Sequence, residues 1–118
     1  MILIVDDTES ILTLLEEMLK GKYECVPFLS PSAALDDMIH NRGLYNLIIT
    51  DFNMPGMNGL EFIEQVRIQV DGRIPVLMIT GNPKDVPNDQ VEKLRISKVI
   101  EKPFDYGYLM RVIYDLVG

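Results

Sequence analysis

The chain has one cysteine, one histidine and no tryptophan. A lone thiol, Cys25, cannot close an internal disulfide, which excludes a disulfide-stapled secreted scaffold and fits a reducing cytoplasm. With so little Cys and His there is no zinc-spaced ligand set, and no Ser/His/Asp arrangement or nucleotide-binding glycine loop stands in their place. Positive charge is also scarce: 11 Lys and Arg face 18 Asp and Glu, a net charge of −7. Nucleic-acid binding needs a basic face, so direct contact with nucleic acid is not expected. The same imbalance attracts divalent cations. No apolar run reaches the length of a membrane span and no signal peptide is read before the first strand, so no membrane association is expected. Internal repeats and low-complexity segments are absent too.

What is present is a chain of 118 residues, 47% hydrophobic and 25% charged, enough for one core without disulfides or structural metals. Residues 1–118 are expected to form a single domain, with no output domain in this chain. Short apolar runs at Ile2–Val5, Tyr23–Phe28, Leu47–Thr50, Val76–Thr80 and Lys98–Ile100 read as strands. Their continuous rather than alternating hydrophobicity suits a parallel sheet buried on both faces. Helical patterns lie between them. Ile11, Leu12, Leu14, Leu15, Met18 and Leu19 form a stripe that stops at Gly21, and Ser30-Pro31 caps a helix running to about Ile39. Asn58-Gly59-Leu60-Glu61 resembles a capping box ahead of Ile63, Val66 and Val70, and Asp105 caps a last helix carrying Leu109, Val112 and Ile113. The fourth helix is expected only after Pro87, capped by Asn88 or Asp89, with Val91 and Leu94 as a small apolar face. Such a helix should be marginal. This alternation predicts an α/β fold, a (βα)₅ doubly wound five-stranded parallel sheet in a three-layer αβα sandwich.

Charged and hydroxyl residues sit where these strands end. Asp6 and Asp7 follow the first, Asp51 the third, Thr80 ends the fourth and Lys102 follows the fifth. In an open parallel sheet those C-terminal ends share the edge where ligands bind. Two carboxylates roughly 5 Å apart repel by about 3 kcal/mol at an effective dielectric near 20. A cluster of three therefore raises a pKa or recruits a cation, and carboxylates with carbonyl oxygen and water suit Mg²⁺. Lys102 can pair with a carboxylate at rest and with a phosphoryl oxygen when one arrives. The bond to Pro103 is a candidate cis peptide that would aim the lysine. Each residue alone also has a plainer reading: strand-end aspartates cap turns, threonine favours strands, and lysine is usually solvated.

The segments Leu3-Ile4-Val5-Asp6-Asp7, Asp51-Phe52-Asn53-Met54-Pro55-Gly56-Met57-Asn58-Gly59, Thr80-Gly81 and Glu101-Lys102-Pro103-Phe104 resemble, in order and spacing, the receiver domain of two-component response regulators, of the CheY-like, flavodoxin-like fold. The resemblance implies that Asp51 is the phosphoacceptor. It further implies that Asp7, Asp51 and the backbone carbonyl of Asn53 ligate Mg²⁺, with Asp6 acting through water. Lys102 and Thr80 would bind phosphoryl oxygens. The phosphodonor would be a histidine kinase or a histidine phosphotransfer protein, or a small-molecule donor. The target would be a downstream protein or a fused output domain, switched through the face of the fourth helix, fifth strand and fifth helix. Such a module is not an enzyme toward other substrates, catalysing only its own phosphorylation and dephosphorylation.

One position departs from the family pattern. Most receivers carry Tyr or Phe three residues before the lysine, whereas this chain has Val99, which calls an aromatic-coupled switch into question. Two other readings are a Mg²⁺-dependent phosphatase of the haloacid dehalogenase type and a pseudo-receiver that is never phosphorylated. The phosphatase wants a second acid where Asn53 stands, and the pseudo-receiver would be favoured by loss of an acid or of Lys102, all of which are present. His40 reads as a solvated helix end and Cys25 as a small core residue. Tyr106, Tyr108 and Tyr114 form a candidate docking or homodimer patch.

Overall fold

Apolar strands that bury both faces need helices above and below them, and the chain supplies both. The computed structural model describes all 118 residues: β1 (Ile2–Val5), α1 (Glu9–Leu19), β2 (Cys25–Phe28), α2 (Pro31–His40), β3 (Leu47–Asp51), α3 (Gly59–Gln69), β4 (Val76–Thr80), a 3₁₀ turn (Pro83–Asp85), α4 (Asn88–Lys93), β5 (Lys98–Glu101) and α5 (Tyr106–Val117). All strand pairs are parallel, in the order β2-β1-β3-β4-β5. The result is the expected doubly wound, flavodoxin-like sheet. Its strand order reverses between β1 and β3, which is the position of a binding crevice in such sheets.

Successive side chains on a strand point to opposite faces, and two cores follow from that. Leu3, Val5, Ile48, Val76 and Met78 pack on one side with Phe62, Ile63 and Val66 of α3 and Ala34 and Met38 of α2. Ile2, Ile4, Leu47, Ile49, Leu77, Ile79 and Ile100 pack on the other with Leu12, Leu15 and Leu19 of α1 and Leu109, Val112 and Ile113 of α5. The central strands β1, β3 and β4 are buried throughout. The edge strands show it in their composition: β2 carries an exposed Pro27, and β5 exposes Lys98 and Glu101.

The local signals act as expected at three helix starts. The Ser30 side chain accepts from the Ala33 N–H, Asn58 and Glu61 form a reciprocal capping box, and Asp105 accepts from the Tyr108 N–H. The fourth helix does start after Pro87, but its cap differs from expectation. Pro87 itself occupies the cap position and no side chain bonds the free N–H groups, so neither Asn88 nor Asp89 caps it. Both side chains lie inside the first helical turn, too late to reach back. The proline-bearing loop before it holds an unexpected 3₁₀ turn, which Asn82 caps by accepting from the Lys84 N–H. β2 starts at Cys25 rather than Tyr23, and β3 and β5 each run one residue further than read, to Asp51 and Glu101. Cys25 is half-buried against the α1/α5 core, and burial raises its thiol pKa.

Candidate functional site

The sheet register brings the strand ends together. Val5 lies beside Thr50, Asp51 beside Ile79, and Thr80 beside Glu101. The chain then leaves the sheet still tethered: the N–H groups of Asp6, Phe52 and Lys102 donate to the carbonyls of Phe28, Ile79 and Thr80. Asp6, Asp51 at the end of β3, and Lys102 are therefore held above the same crevice.

Four charged groups meet there. Lys102 Nζ lies 3.3 Å from Asp6 Oδ2 and 3.2 Å from Asp51 Oδ1, bridging residues 96 and 51 positions away. Asp6 and Asp51 are buried, at 2% and 6% exposure, while Asp7 faces solvent. One carboxylate oxygen from each of Asp6, Asp7 and Asp51 falls within 4.8 Å of the others. The Lys102–Pro103 peptide bond is cis.

The hydrogen bonds sort these oxygens. Asp6 Oδ1 accepts from the Thr8 N–H and Oδ2 from Lys102, so both its oxygens are occupied. At Asp51 the Phe52 N–H and Lys102 both go to Oδ1, which leaves Oδ2 without a protein donor. The Asp7 carboxylate receives no protein hydrogen bond. An all-oxygen donor set carrying three carboxylates and one ammonium is chemically suited to a hard divalent cation such as Mg²⁺. Its unoccupied oxygens belong to Asp7 and Asp51.

Charge and burial compete at the centre. Burial pushes the Asp51 carboxyl pKa up and Asp6 pushes it further, against the opposing pull of Lys102 and the Phe52 N–H. Burial alone would lower the Lys102 pKa, but the two carboxylates outweigh it and hold the pKa above its ordinary value.

The remaining candidates are placed differently. Thr80 is fully buried at the end of β4, and its hydroxyl does not reach the carboxylates. It accepts from the Asn82 N–H at 3.1 Å and lies 3.4 Å from the Asn82 carbonyl. Asn53 lies exposed at the start of the loop after Asp51, where Met54 is buried. Val99 is half-buried against the α2/α3 core. His40 sits exposed at the end of α2, with Nδ1 2.7 Å from the Asp36 carbonyl. Tyr106, Tyr108 and Tyr114 are exposed on α5, with Lys22 above the Tyr106 ring. Two supports escaped the sequence reading. The Thr50 hydroxyl donates to the Asp51 carbonyl, and Asn82 holds the Thr80 hydroxyl. The Asn-Pro dipeptide at 82–83 was the available signal for the second, since asparagine there builds turns.

A consequence for stability follows. A carboxyl whose pKa rises on folding binds its proton more tightly in the native state, so ionising it as pH rises through the carboxylate range costs stability. Asp51→Asn keeps an acceptor for the Phe52 N–H, removes the repulsion with Asp6 and leaves Lys102 its Asp6 partner. At pH 7 this variant should gain about 1 kcal/mol, or roughly 3–5 °C in Tm. Thermal melts should show the gain shrinking as pH falls and Asp51 protonates in the parent. A lower Tm at pH 7 would mean that the Lys102 pairing outweighs the burial and repulsion.

Comparison with known proteins agrees with this geometry. The chain matches the family described as response regulator receiver domain over residues 2–114. It is 31% identical over 111 residues to the chemotaxis protein CheY of Pseudomonas aeruginosa, covering 87% of this chain and 84% of that protein. It is 37% identical over 82 residues to the putative two-component response regulator ARR21 of Arabidopsis thaliana, covering 69% of this chain. The match spans only 13% of the length of that plant regulator. Among solved structures, chemotaxis protein CheY4 of Vibrio cholerae superposes with a TM-score of 0.86 at 28% identity, over 98% of this chain and 97% of that one. The receiver domain of the sensor histidine kinase PA1611 of Pseudomonas aeruginosa, solved with a magnesium ion coordinated in its active-site cleft, shares the fold. Its TM-score is 0.86 at 24% identity, over 99% of this chain and 96% of that one. With the strand-end acids and the bridging lysine in place on this sheet, the chain belongs to the response regulator receiver domain family of two-component signalling.

Proposed function

We propose that this domain accepts a phosphoryl group on Asp51 in a Mg²⁺-dependent reaction and thereby switches its contacts with a partner protein. The observation that carries the reading is the pairing at Asp51: Lys102 and the Phe52 N–H hold Oδ1, while Oδ2 has no protein donor. An anchored carboxylate with one free oxygen is a positioned nucleophile.

Asp51 Oδ2 attacks phosphorus as the bond from phosphorus to the donor breaks. With a phosphohistidine donor the electron pair leaves on the imidazole nitrogen, and the product is an aspartyl phosphate. Asp7, Asp51 and the Asn53 carbonyl would hold the cation, with Asp6, both of whose oxygens are engaged, acting through water. When bound, Mg²⁺ supplies charge neutralisation for the phosphoryl oxygens. Lys102 would follow one phosphoryl oxygen without leaving the crevice. Thr80 must give up its bonds to Asn82 to reach another. The new charge of about −2 thus competes for the two side chains at the ends of β4 and β5.

The donor in this reading is a histidine kinase or a histidine phosphotransfer protein. The downstream target binds the face made by α4, β5 and α5. The domain is a signalling module in this reading and turns over only its own phosphoryl group.

Incubation with Mg²⁺ and acetyl phosphate, followed by intact mass, tests the proposal. The parent should gain one phosphoryl group and Asp51→Asn none. No gain in the parent, with Mg²⁺ binding still detectable, would replace this reading with an unphosphorylated pseudo-receiver. Continuous phosphate release from unrelated monoesters would replace it with a phosphatase.

A further inference from the structure

The two ends of α4 are attached in opposite ways. Its six residues, Asn88–Lys93, follow a Pro87 cap with no capping side chain. Its C-terminal end is closed by backbone bonds. The Ile96 N–H donates to the Val91 carbonyl and the Arg95 N–H to the Glu92 carbonyl, which is the Schellman arrangement. The residue that closes it must adopt left-handed backbone, normally a task for glycine, yet here it is Arg95, at φ 55°.

Two guanidinium groups hold that strained end from outside the helix. Arg67 of α3 donates from Nε to the Leu94 carbonyl at 2.9 Å and from Nη2 to the Arg95 carbonyl at 3.1 Å. Its Nη1 lies 3.3 Å from the Asp71 carbonyl. Arg95 reaches the other way, with Nε and Nη2 2.9 and 2.6 Å from the Gly72 carbonyl. The planar fork suits both tasks: Arg67 reaches three carbonyls at once, and Arg95 gives two N–H groups to one. The chain just past α4, at Leu94 and Arg95, is thereby tied to α3 and to the α3–β4 connection. Leu94 and Ile96 add a buried apolar attachment on either side of Arg95.

At the other end the segment from Gly81 to Pro87 depends on the Thr80 hydroxyl, which accepts from the Asn82 N–H. Asn82 in turn caps the 3₁₀ turn through the Lys84 N–H and reaches Asp85. Of the residues between Gly81 and Pro87, only Val86 is buried.

We propose that Arg67 and Arg95 form a fixed pivot for α4, so that releasing Asn82 from Thr80 frees the chain up to the start of α4 while the end of α4 stays in place. Movement at this face is then a swing about Leu94–Ile96 rather than a displacement or melting of the whole helix. The device needs no aromatic residue on β5, consistent with Val99 there. It concerns the response to Thr80 alone and does not rest on phosphorylation of Asp51.

Hydrogen exchange read by mass spectrometry on the full chain tests it. Thr80→Val preserves shape and deletes the hydroxyl. It should speed exchange about tenfold across residues 81–90 and leave 92–97 within about twofold of the parent. Adding Arg67→Gln should carry the faster exchange into 92–97. Arg95→Gly keeps the left-handed backbone, relieves its strain and removes the fork, and with Thr80→Val it too should extend the effect. If Thr80→Val alone accelerates 92–97 as much as 81–90, there is no pivot. The proposal also fails if neither arginine substitution changes exchange in 92–97 beyond Thr80→Val alone. Should Arg67→Gln fail to fold, Arg95→Gly gives the same comparison.

Discussion

Gly59→Ala should destabilise the domain by about 3 kcal/mol, near the upper end for overpacking a core, and lower Tm by roughly 10 °C. Gly59 is the first residue of α3, directly beneath the loop that follows Asp51. A Cβ there would lie 2.5 Å from the Asp51 carbonyl oxygen and 3.0 Å from both Phe52 Cα and Met78 Cε. Met78 can turn its methyl away, but the two backbone atoms cannot. They are fixed by the Thr50 hydroxyl on the Asp51 carbonyl, by the Phe52 N–H bond to Ile79 and by the Gly59 N–H bond to the Phe52 carbonyl.

Relief must come from moving α3 or from moving Asp51. Shifting α3 opens the core around Phe62, Ile63 and Val66, all fully buried. Shifting Asp51 moves its carboxylate relative to Lys102. Urea unfolding measures the first cost, and phosphoryl gain from acetyl phosphate reads the second. An unchanged unfolding midpoint would show that α3 stands further from β3 than this contact allows.

Lys102→Met carries the second large effect. Methionine keeps much of the stem and removes the cation that neutralises Asp6 and Asp51. Breaking a fully buried pair by deleting one partner costs about 3–5 kcal/mol. Lys102 is a quarter exposed, so water screens part of the loss and about 2 kcal/mol at pH 7 is expected. The pH dependence identifies the cause. Lys102 holds its proton more tightly in the folded state, so the stability it contributes is present below the ordinary lysine pKa and is lost only at strongly alkaline pH.

Without that ammonium the Asp51 pKa, already raised, rises further. The variant should therefore lose stability more steeply than the parent as pH climbs from the carboxylate range toward 7. With the acids holding Mg²⁺ as proposed, it should restore more stability to the variant than to the parent, because the cation would no longer compete with an ammonium for the same carboxylates. Thermal melts at several pH values, with and without Mg²⁺, check both expectations. Identical pH profiles for parent and variant would mean that Lys102 is solvated and plays no part in balancing the acids.

Much of the fold was legible along the chain because its signals are local. A cap involves residues three apart, and Ser30, Asn58 and Asp105 each declare a helix start within one turn. Continuous apolar runs declare buried strands for an equally short-range reason. The errors came where local rules compete. At α4, a proline cap left the neighbouring Asn88 and Asp89 inside the helix, and a 3₁₀ turn formed in the proline-bearing loop before it. The Thr80–Asn82 contact is local as well, but the Thr80 hydroxyl was assigned to a phosphoryl oxygen, and its resting partner two residues on was not anticipated.

The alternation of strands and helices, and the polar side chains that end the strands, can be read along the chain. Only the tertiary structure decided that Lys102 bridges Asp6 and Asp51, that Asp51 keeps one free oxygen, that Gly59 admits no side chain, and that two arginines anchor the end of α4. The physical reason is range. Capping and strand preference act within a few residues, whereas burial, Coulomb pairing and close backbone approach depend on which strands become neighbours. The order β2-β1-β3-β4-β5 sets Asp6, Asp51 and Lys102 around one crevice, although up to 96 residues separate them along the chain.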